Sequence, residues 1–238
     1  MRLSEIANPN DAPPKKFRDL FEYEKSQHRK VADFIEGDTL DLTGSLPYLQ
    51  NNGLKCLVGC PDELIMMELV ATELALESME GCPQKIMSAI DVGDNELESL
   101  EGICPVLNGL LNVNWNRLKN LDHMPKRLIS LNLMLNELPH LFSEFDRLTK
   151  AHVFDHLGYL VLDQKQITHA ITDDHGILTL FKMPNLTRVK IGSMRIGDAV
   201  KVMNIVNTYL DLDGRTSKDI LACQNELLDN GFEEYARL

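Results

Sequence analysis

A Leu-x-x-Leu beat that returns after an asparagine at a nearly constant interval limits this chain more than any other feature. From Leu97 to Leu138 it reads "LESLEGICPVLNGLLNVNWNRLKNLDHMPKRLISLNLMLNEL". Around Asn95 the apolar frame is Ile90, Val92, Leu97 and Leu100. Around Asn116 it is Leu111, Val113, Leu118 and Leu121, and around Asn136 it is Leu131, Leu133, Leu138 and Leu141. The steps are 21 and 20 residues. A looser copy runs backwards: Leu74 takes the asparagine slot between Leu69, Ala71, Leu76 and Met79, and Asn52 sits among Leu49, Leu54 and Leu57. A second signature keeps the same beat. Gly-Cys-Pro occurs at Gly59–Pro61 and Gly81–Pro83, and Gly-Ile-Cys-Pro at Gly102–Pro105, so that Cys60, Cys82 and Cys104 fall 22 residues apart.

A unit of this size cannot bury its own apolar face, so neighbouring units must stack. The period predicts an α/β chain built on a short leucine-rich-repeat solenoid. Each Leu-x-Leu is expected to form a short strand, and successive strands to lie parallel. The asparagine amide carries both donors and an acceptor, which suits it to backbone groups where the chain turns a corner. Leu74 cannot do this, so its corner is expected to be irregular or satisfied by water. The three repeat cysteines are small and apolar enough to serve as core. Proline then opens the next segment without needing an amide partner. Asn52, Asn95, Asn116 and Asn136, with Cys60, Cys82 and Cys104, are therefore assigned structural roles.

The residue between the two apolar positions of each strand should face outward. These are Asp91, Asn112 and Asn132, followed by Gly93, Asn114 and Met134. Trp115, the single tryptophan, directly precedes Asn116. Asp91, Asp94, Asn112, Asn114, Trp115, Asn132 and Met134 are the candidate contacts of a binding face. Trp115 discriminates most: exposed it is an anchor, buried it fills a corner.

The flanks divide the chain into residues 1–38 (tail and capping helix), 39–142 (repeats) and 143–238 (a C-terminal strand-plus-helix cap). Residues 15–36 carry an apolar stripe through Phe17, Leu20, Phe21, Val31 and Phe34, which predicts an amphipathic helix closing the open core. After Phe142 the period disappears. "YLVLDQ", "QITHAITD", "GILTLF" and "TRVKIGS" read as short strands, and "DDHG" at 173–176 as a hairpin turn with Gly176 at positive φ. Helices are expected from about Gly197 to Leu210 and over "SKDILACQNELLDN", the second opened by a Thr216/Asp219 capping box and stopped by Gly231.

Charge narrows the partners. The chain carries 36 acidic and 24 basic residues, a formal net charge of -12. That balance disfavours duplex nucleic acid and anionic membranes, and permits a basic protein. The N-terminus is polar and proline-bearing, and no run of 18 apolar residues occurs, so neither signal peptide nor membrane span is expected and a cytoplasmic location is the default. Five cysteines without C-x-x-C read as free thiols, with no metal and no cofactor. Cys223 reads as a buried helix residue. His152 and His156, or Asp173, Asp174 and His175, are the only residues that suggest a small hydrolase or transferase, and neither set matches a catalytic motif.

The segments "LESLEGICP" and "LESMEGCP" resemble the Leu-x-x-Leu-x-Gly-Cys-Pro repeats of bacteriophage and large-virus proteins and, more distantly, the leucine-rich repeats of bacterial effectors. The resemblance covers about Thr39 to Leu141, with only about five turns. It implies protein–protein interaction rather than catalysis: a virus-encoded protein that binds and modulates a host protein. The alternatives are a structural or self-assembling component, and a small hydrolase or transferase.

Overall fold

The Leu-x-Leu segments form strands that lie side by side in chain order. In the computed structural model, which describes residues 35–36, 39–42, 54–60, 66–192, 197–212 and 215–237, these strands are β1 (Ile35–Glu36), β2 (Thr39–Asp41), β3 (Met66–Val70), β4 (Ile86–Asp91), β5 (Leu110–Asn112), β6 (Ser130–Asn132), β7 (Tyr159–Leu162) and β8 (Arg188–Ile191). They make one eight-stranded sheet in the order β1 to β8. Only β1 and β2 run antiparallel; every later pair is parallel. The result is an α/β, repeat-like architecture in which each strand rests on the one before it.

The register explains why the period matters. Leu69, Ile90, Leu111, Leu131, Leu160 and Val189 are successive Cα partners across β3 to β8. All six are buried. Because side chains alternate along a strand, the residues on either side of this row face away from the core. One outer row is Glu68, Ala89, Leu110, Ser130, Tyr159 and Arg188, and the other is Val70, Asp91, Asn112, Asn132, Val161 and Lys190.

Every apolar position of the three regular frames is buried. So are Cys60, Cys82 and Cys104, and no disulfide joins any of the five cysteines. Burial pushes the Cys82 thiol up, helped by its neighbour Cys104, and raises Cys104 to about 11. A thiol held protonated in this way packs as a small apolar side chain. The glycine that opens each Gly-Cys-Pro or Gly-Ile-Cys-Pro motif sits at positive φ: 94° at Gly59, 84° at Gly81 and 91° at Gly102. At Gly81 a Cβ would lie 2.4 Å from the backbone of Leu57 and Val58 in the coil beneath. The same corner recurs one turn later without its signature. His123 takes the glycine position at φ 62°, Met124 is buried in the cysteine's place, and Pro125 follows.

Helices close the C-terminal side: α1 (Leu141–Lys150), α2 (Gln164–His169), a 3-10 helix (Ile177–Lys182), α3 (Asp198–Leu210) and α4 (Ser217–Asp229). β7, β8, α3 and α4 match the sequence reading. The capping box at α4 is present, with Asp219 accepting from the Thr216 amide and hydroxyl at 2.7 Å each, and Gly231 ends the helix region at φ 77°.

Four expectations are corrected. "QITHAITD" begins inside α2 and carries its last residues, not a strand, because Asp163 and Gln166 form a reciprocal cap that starts a helix there. "GILTLF" forms the 3-10 helix; Ile177, Leu178, Leu180 and Phe181 are all buried, so no outward face exists for alternation to serve. "DDHG" is no hairpin turn: Gly176 has φ -71° and Asp173 is drawn to α1. The segment 15–36 lies outside the described residues except for its last two, which are strand β1 rather than helix. Asn52 also lies outside them.

The far edge of the sheet is closed by a side chain. Asn207 of α3 accepts from the Val189 amide and donates to the Val189 carbonyl, both at 2.8 Å. This occupies edge groups that would otherwise template another strand.

Candidate binding face

Three buried asparagines hold the corners after the strands. Asn116 accepts from the Leu97 amide at 2.9 Å and donates to the carbonyls of Val92, Val113 and Asn114 at 2.9, 3.1 and 3.2 Å. Asn136 accepts from Leu118 and donates to Val113, Leu133 and Met134. Each amide therefore binds its own corner and the one below. Asn95 serves two amides at once, Leu74 at 3.0 Å and Leu76 at 2.9 Å. The corner at Leu74 is thus not left to water: the next asparagine in the stack supplies the oxygen. Above Asn136 the roles pass to α2. Gln166 donates to the Leu133 carbonyl at 2.8 Å, and Asp163 accepts from the Leu135 amide at 2.8 Å.

The residue before each asparagine slot takes a left-handed backbone: Glu73 at φ 58°, Asp94 at 54°, Trp115 at 52° and Leu135 at 57°. For a residue with a Cβ this conformation costs roughly 1–2 kcal/mol. It throws the four side chains outward in register. Trp115 is 57% exposed and Leu135 43%. Beside them lies an open groove of about 510 Å³, whose lining includes Glu73, Asp94, Glu96, Trp115, Arg117 and Leu135.

The end of the sheet where the strands begin is more apolar than the sequence candidates suggested. Leu110 is 38% exposed and Ile129 54%, and Met67 and Met87 are also exposed. They gather where β3 to β6 begin. Only Leu110 lies in the two outer rows; all four were overlooked because the sequence frame was read forward from the buried leucines, toward the asparagine. Strand alternation read backward from Leu111 flags Leu110 as outward, and the step from Asp91 through Ala89 flags Met87.

The predicted contact residues divide into two kinds. Asp94 and Trp115 border the groove. Asp91, Asn112, Asn114, Asn132 and Met134 are half-buried on the outer face. Among these, Asn112 donates to Asp91 at 2.9 Å, Asp91 accepts from the Gly93 amide, and Asn112 and Asn132 accept from the amides of Asn114 and Met134. These polar side chains stiffen the face as well as presenting it.

A second cluster joins α1 to the loop before the 3-10 helix. Asp173 accepts from the amides of Phe142 and Ser143 at 3.0 and 3.1 Å and from the Ser143 hydroxyl at 2.5 Å. It therefore caps the positive end of α1. His175 lies 3.2 Å from Ser143 Oγ through Nδ1 and 3.3 Å from Asp146 through Nε2. Asp146 is buried and bound by Lys150 and Lys182, and those two ammonium groups hold its carboxyl down to about 2. The serine, histidine and aspartate chemistry is present, but its geometry is that of a clamp. The Ser143 proton goes to Asp173, and Asp146 is committed to two lysines.

His152 and His156 do not share a helix face, because α1 ends at Lys150; His152 meets Asp155 at 3.1 Å. Cys223 is buried in α4, and burial raises its thiol to about 12. Among the described residues no group of three histidines, cysteines, aspartates or glutamates could hold a metal ion. Among the same residues no helix is long and apolar enough to cross a membrane. No family model matches the chain, and no curated protein matches it.

Proposed function

We propose that the chain is a short leucine-rich-repeat solenoid that binds another protein through its outer strand face and the adjoining groove, without catalysing a reaction. The observation that carries this reading is Trp115, held 57% exposed by a left-handed backbone. An aromatic side chain kept in solvent at a conformational cost is characteristic of an interface anchor. Leu110, Ile129, Met67 and Met87 add an apolar field on the same sheet, of the kind that marks interaction surfaces. The Gly-Cys-Pro resemblance extends the proposal to a virus-encoded protein acting on a host protein in the host cytoplasm.

The test is capture from host lysate on the immobilised chain, beside the Trp115→Asn/Leu110→Ser variant, after circular dichroism shows that variant folded. One stoichiometric protein that the variant fails to retain supports the reading. Equal retention by both proteins moves the contact off this face and defeats it.

A further inference from the structure

The outer face is electrically polar from one end to the other, and this says what kind of segment it accepts. On β3 and β4 the outer rows carry Glu68 and Asp91. On β8 they carry Arg188 and Lys190, both exposed. Between these ends the same rows hold uncharged residues, among them Leu110, Tyr159 and Val161. From β3 to β8 is five strand steps, roughly 24 Å at about 4.8 Å per step. An extended peptide covers that distance in about seven residues. The ends cannot cancel one another across such a gap, because it exceeds two screening lengths at physiological salt, about 8 Å each.

We infer that the partner is a protein segment laid across the strands, with Lys or Arg at one end, an apolar middle, and Asp or Glu about seven residues away. This rests on the proposed binding function. Charge complementarity at both ends fixes the direction of the segment, and like charges set opposite one another would exclude the reverse orientation. A uniformly basic partner is rejected at β8 despite the net charge of -12. So is single-stranded nucleic acid, which would meet Glu68 and Asp91. The segment lies on the face and does not add a strand at β8, because Asn207 already holds the backbone of Val189.

The experiment is selection of random twelve-residue peptides displayed on phage against the full chain, followed by affinity measurement on three proteins. These are the unaltered chain, the Arg188→Glu/Lys190→Glu variant, and the Leu110→Ser/Ile129→Ser variant. The expected peptides carry a basic end and an acidic end around an apolar centre. They should lose about tenfold or more in affinity on the charge-reversed protein, where like charges meet. Selection repeated on that protein should return peptides basic at both ends. Peptides that bind the charge-reversed protein as well as the original overturn the inference; if they still fail on Leu110→Ser/Ile129→Ser, the face remains the binding site and only its polarity is unread. Peptides indifferent to both variants, or no peptides at all, defeat the binding function too. Preference for a single-stranded oligonucleotide over every selected peptide overturns the inference in favour of a different partner.

Discussion

From Ile86 to Leu138 each strand is followed by the same corner, whereas after Leu141 the strands are held by unlike side chains. In the first region an asparagine, a left-handed residue and a Leu-x-x-Leu return do the same work three times. In the second, β7 leads into the Asp163/Gln166 cap of α2, and β8 is closed by Asn207 from α3. The sheet does not register the change; β6, β7 and β8 pair in parallel throughout. The backbone demand at each corner is constant, and the side chain that meets it is free to vary. A regular solution leaves a period in the sequence, and an irregular one leaves none.

The two regions should therefore fail differently. The largest loss is expected from Phe145→Ala. Phe145 is buried edge-on between Phe142 and Phe154, with ring centroids 5.7 and 6.0 Å away. Removing it should cost about 3–5 kcal/mol, through lost burial and the cavity left behind. Urea unfolding measures this. A loss below about 1 kcal/mol would mean that the aromatic cluster is not what anchors the C-terminal side.

Next is Asn116→Ala. It strips the buried Leu97 amide of its partner and removes one of two donors from the carbonyls of Val92, Val113 and Asn114, which keep Asn95, Asn136 and the Asp94 amide. At about 1–3 kcal/mol for the one unsatisfied amide, with the weakened carbonyls adding to it, the expected loss is about 3 kcal/mol. Hydrogen exchange sharpens the comparison. Because the asparagines bond from coil to coil, protection should fall in the corners of both Val92 and Val113. If only the mutated corner loosens, the asparagines act singly and the ladder is a coincidence of spacing.

These two sites also show how much of the molecule was legible. The asparagine frame, the buried cysteines, β7, β8 and the last two helices follow from spacing, capping residues and alternation. What escaped depends on contacts distant in sequence. Asp173 caps α1 from 31 residues away, and nothing near "DDHG" announces it. Gln166 reaches back 33 residues to Leu133. His123 and Met124 continue the Gly-Cys-Pro corner with a different left-handed residue and a larger sulfur side chain. At the candidate site, the polar residues and Trp115 were found from the strand pattern. Leu110, Ile129, Met67 and Met87 were missed because an exposed apolar side chain looks like core in a sequence.

A smaller effect, with a pH signature, separates the clamp from the ladder. Lys150 and Lys182 hold the Asp146 carboxyl down to about 2. A group depressed in the folded state adds stability above its unfolded value, near 3.9, and loses it as pH falls toward about 2. Asp146→Asn should therefore cost about 2 kcal/mol at pH 7, discounted for its solvent-exposed lysine partners. The gap from the unaltered chain should close progressively below pH 4. The cost of Asn116→Ala should stay flat over that range, since no charge is involved. Urea midpoints of the three proteins from pH 7 to pH 2.5 make the measurement, and a gap that stays constant at Asp146 would remove the charge pairing as its cause.

The smallest effect has the opposite sign. Trp115 occupies a left-handed position that asparagine adopts with far less strain. More than half of its surface is in solvent, so little packing is lost on replacement. Trp115→Asn is expected to stabilise the chain by up to about 1 kcal/mol, a rise of about 2–4 °C in Tm for a chain of this size. The same substitution should abolish most binding at the face, because an aromatic anchor commonly carries 2 kcal/mol or more of an interface. Scanning calorimetry and titration of a captured partner read the two quantities independently. Gain of stability with loss of binding is the trade expected where strain serves function. If stability falls instead, Trp115 belongs to the packing of its corner, and the repeats and the C-terminal section differ in architecture alone.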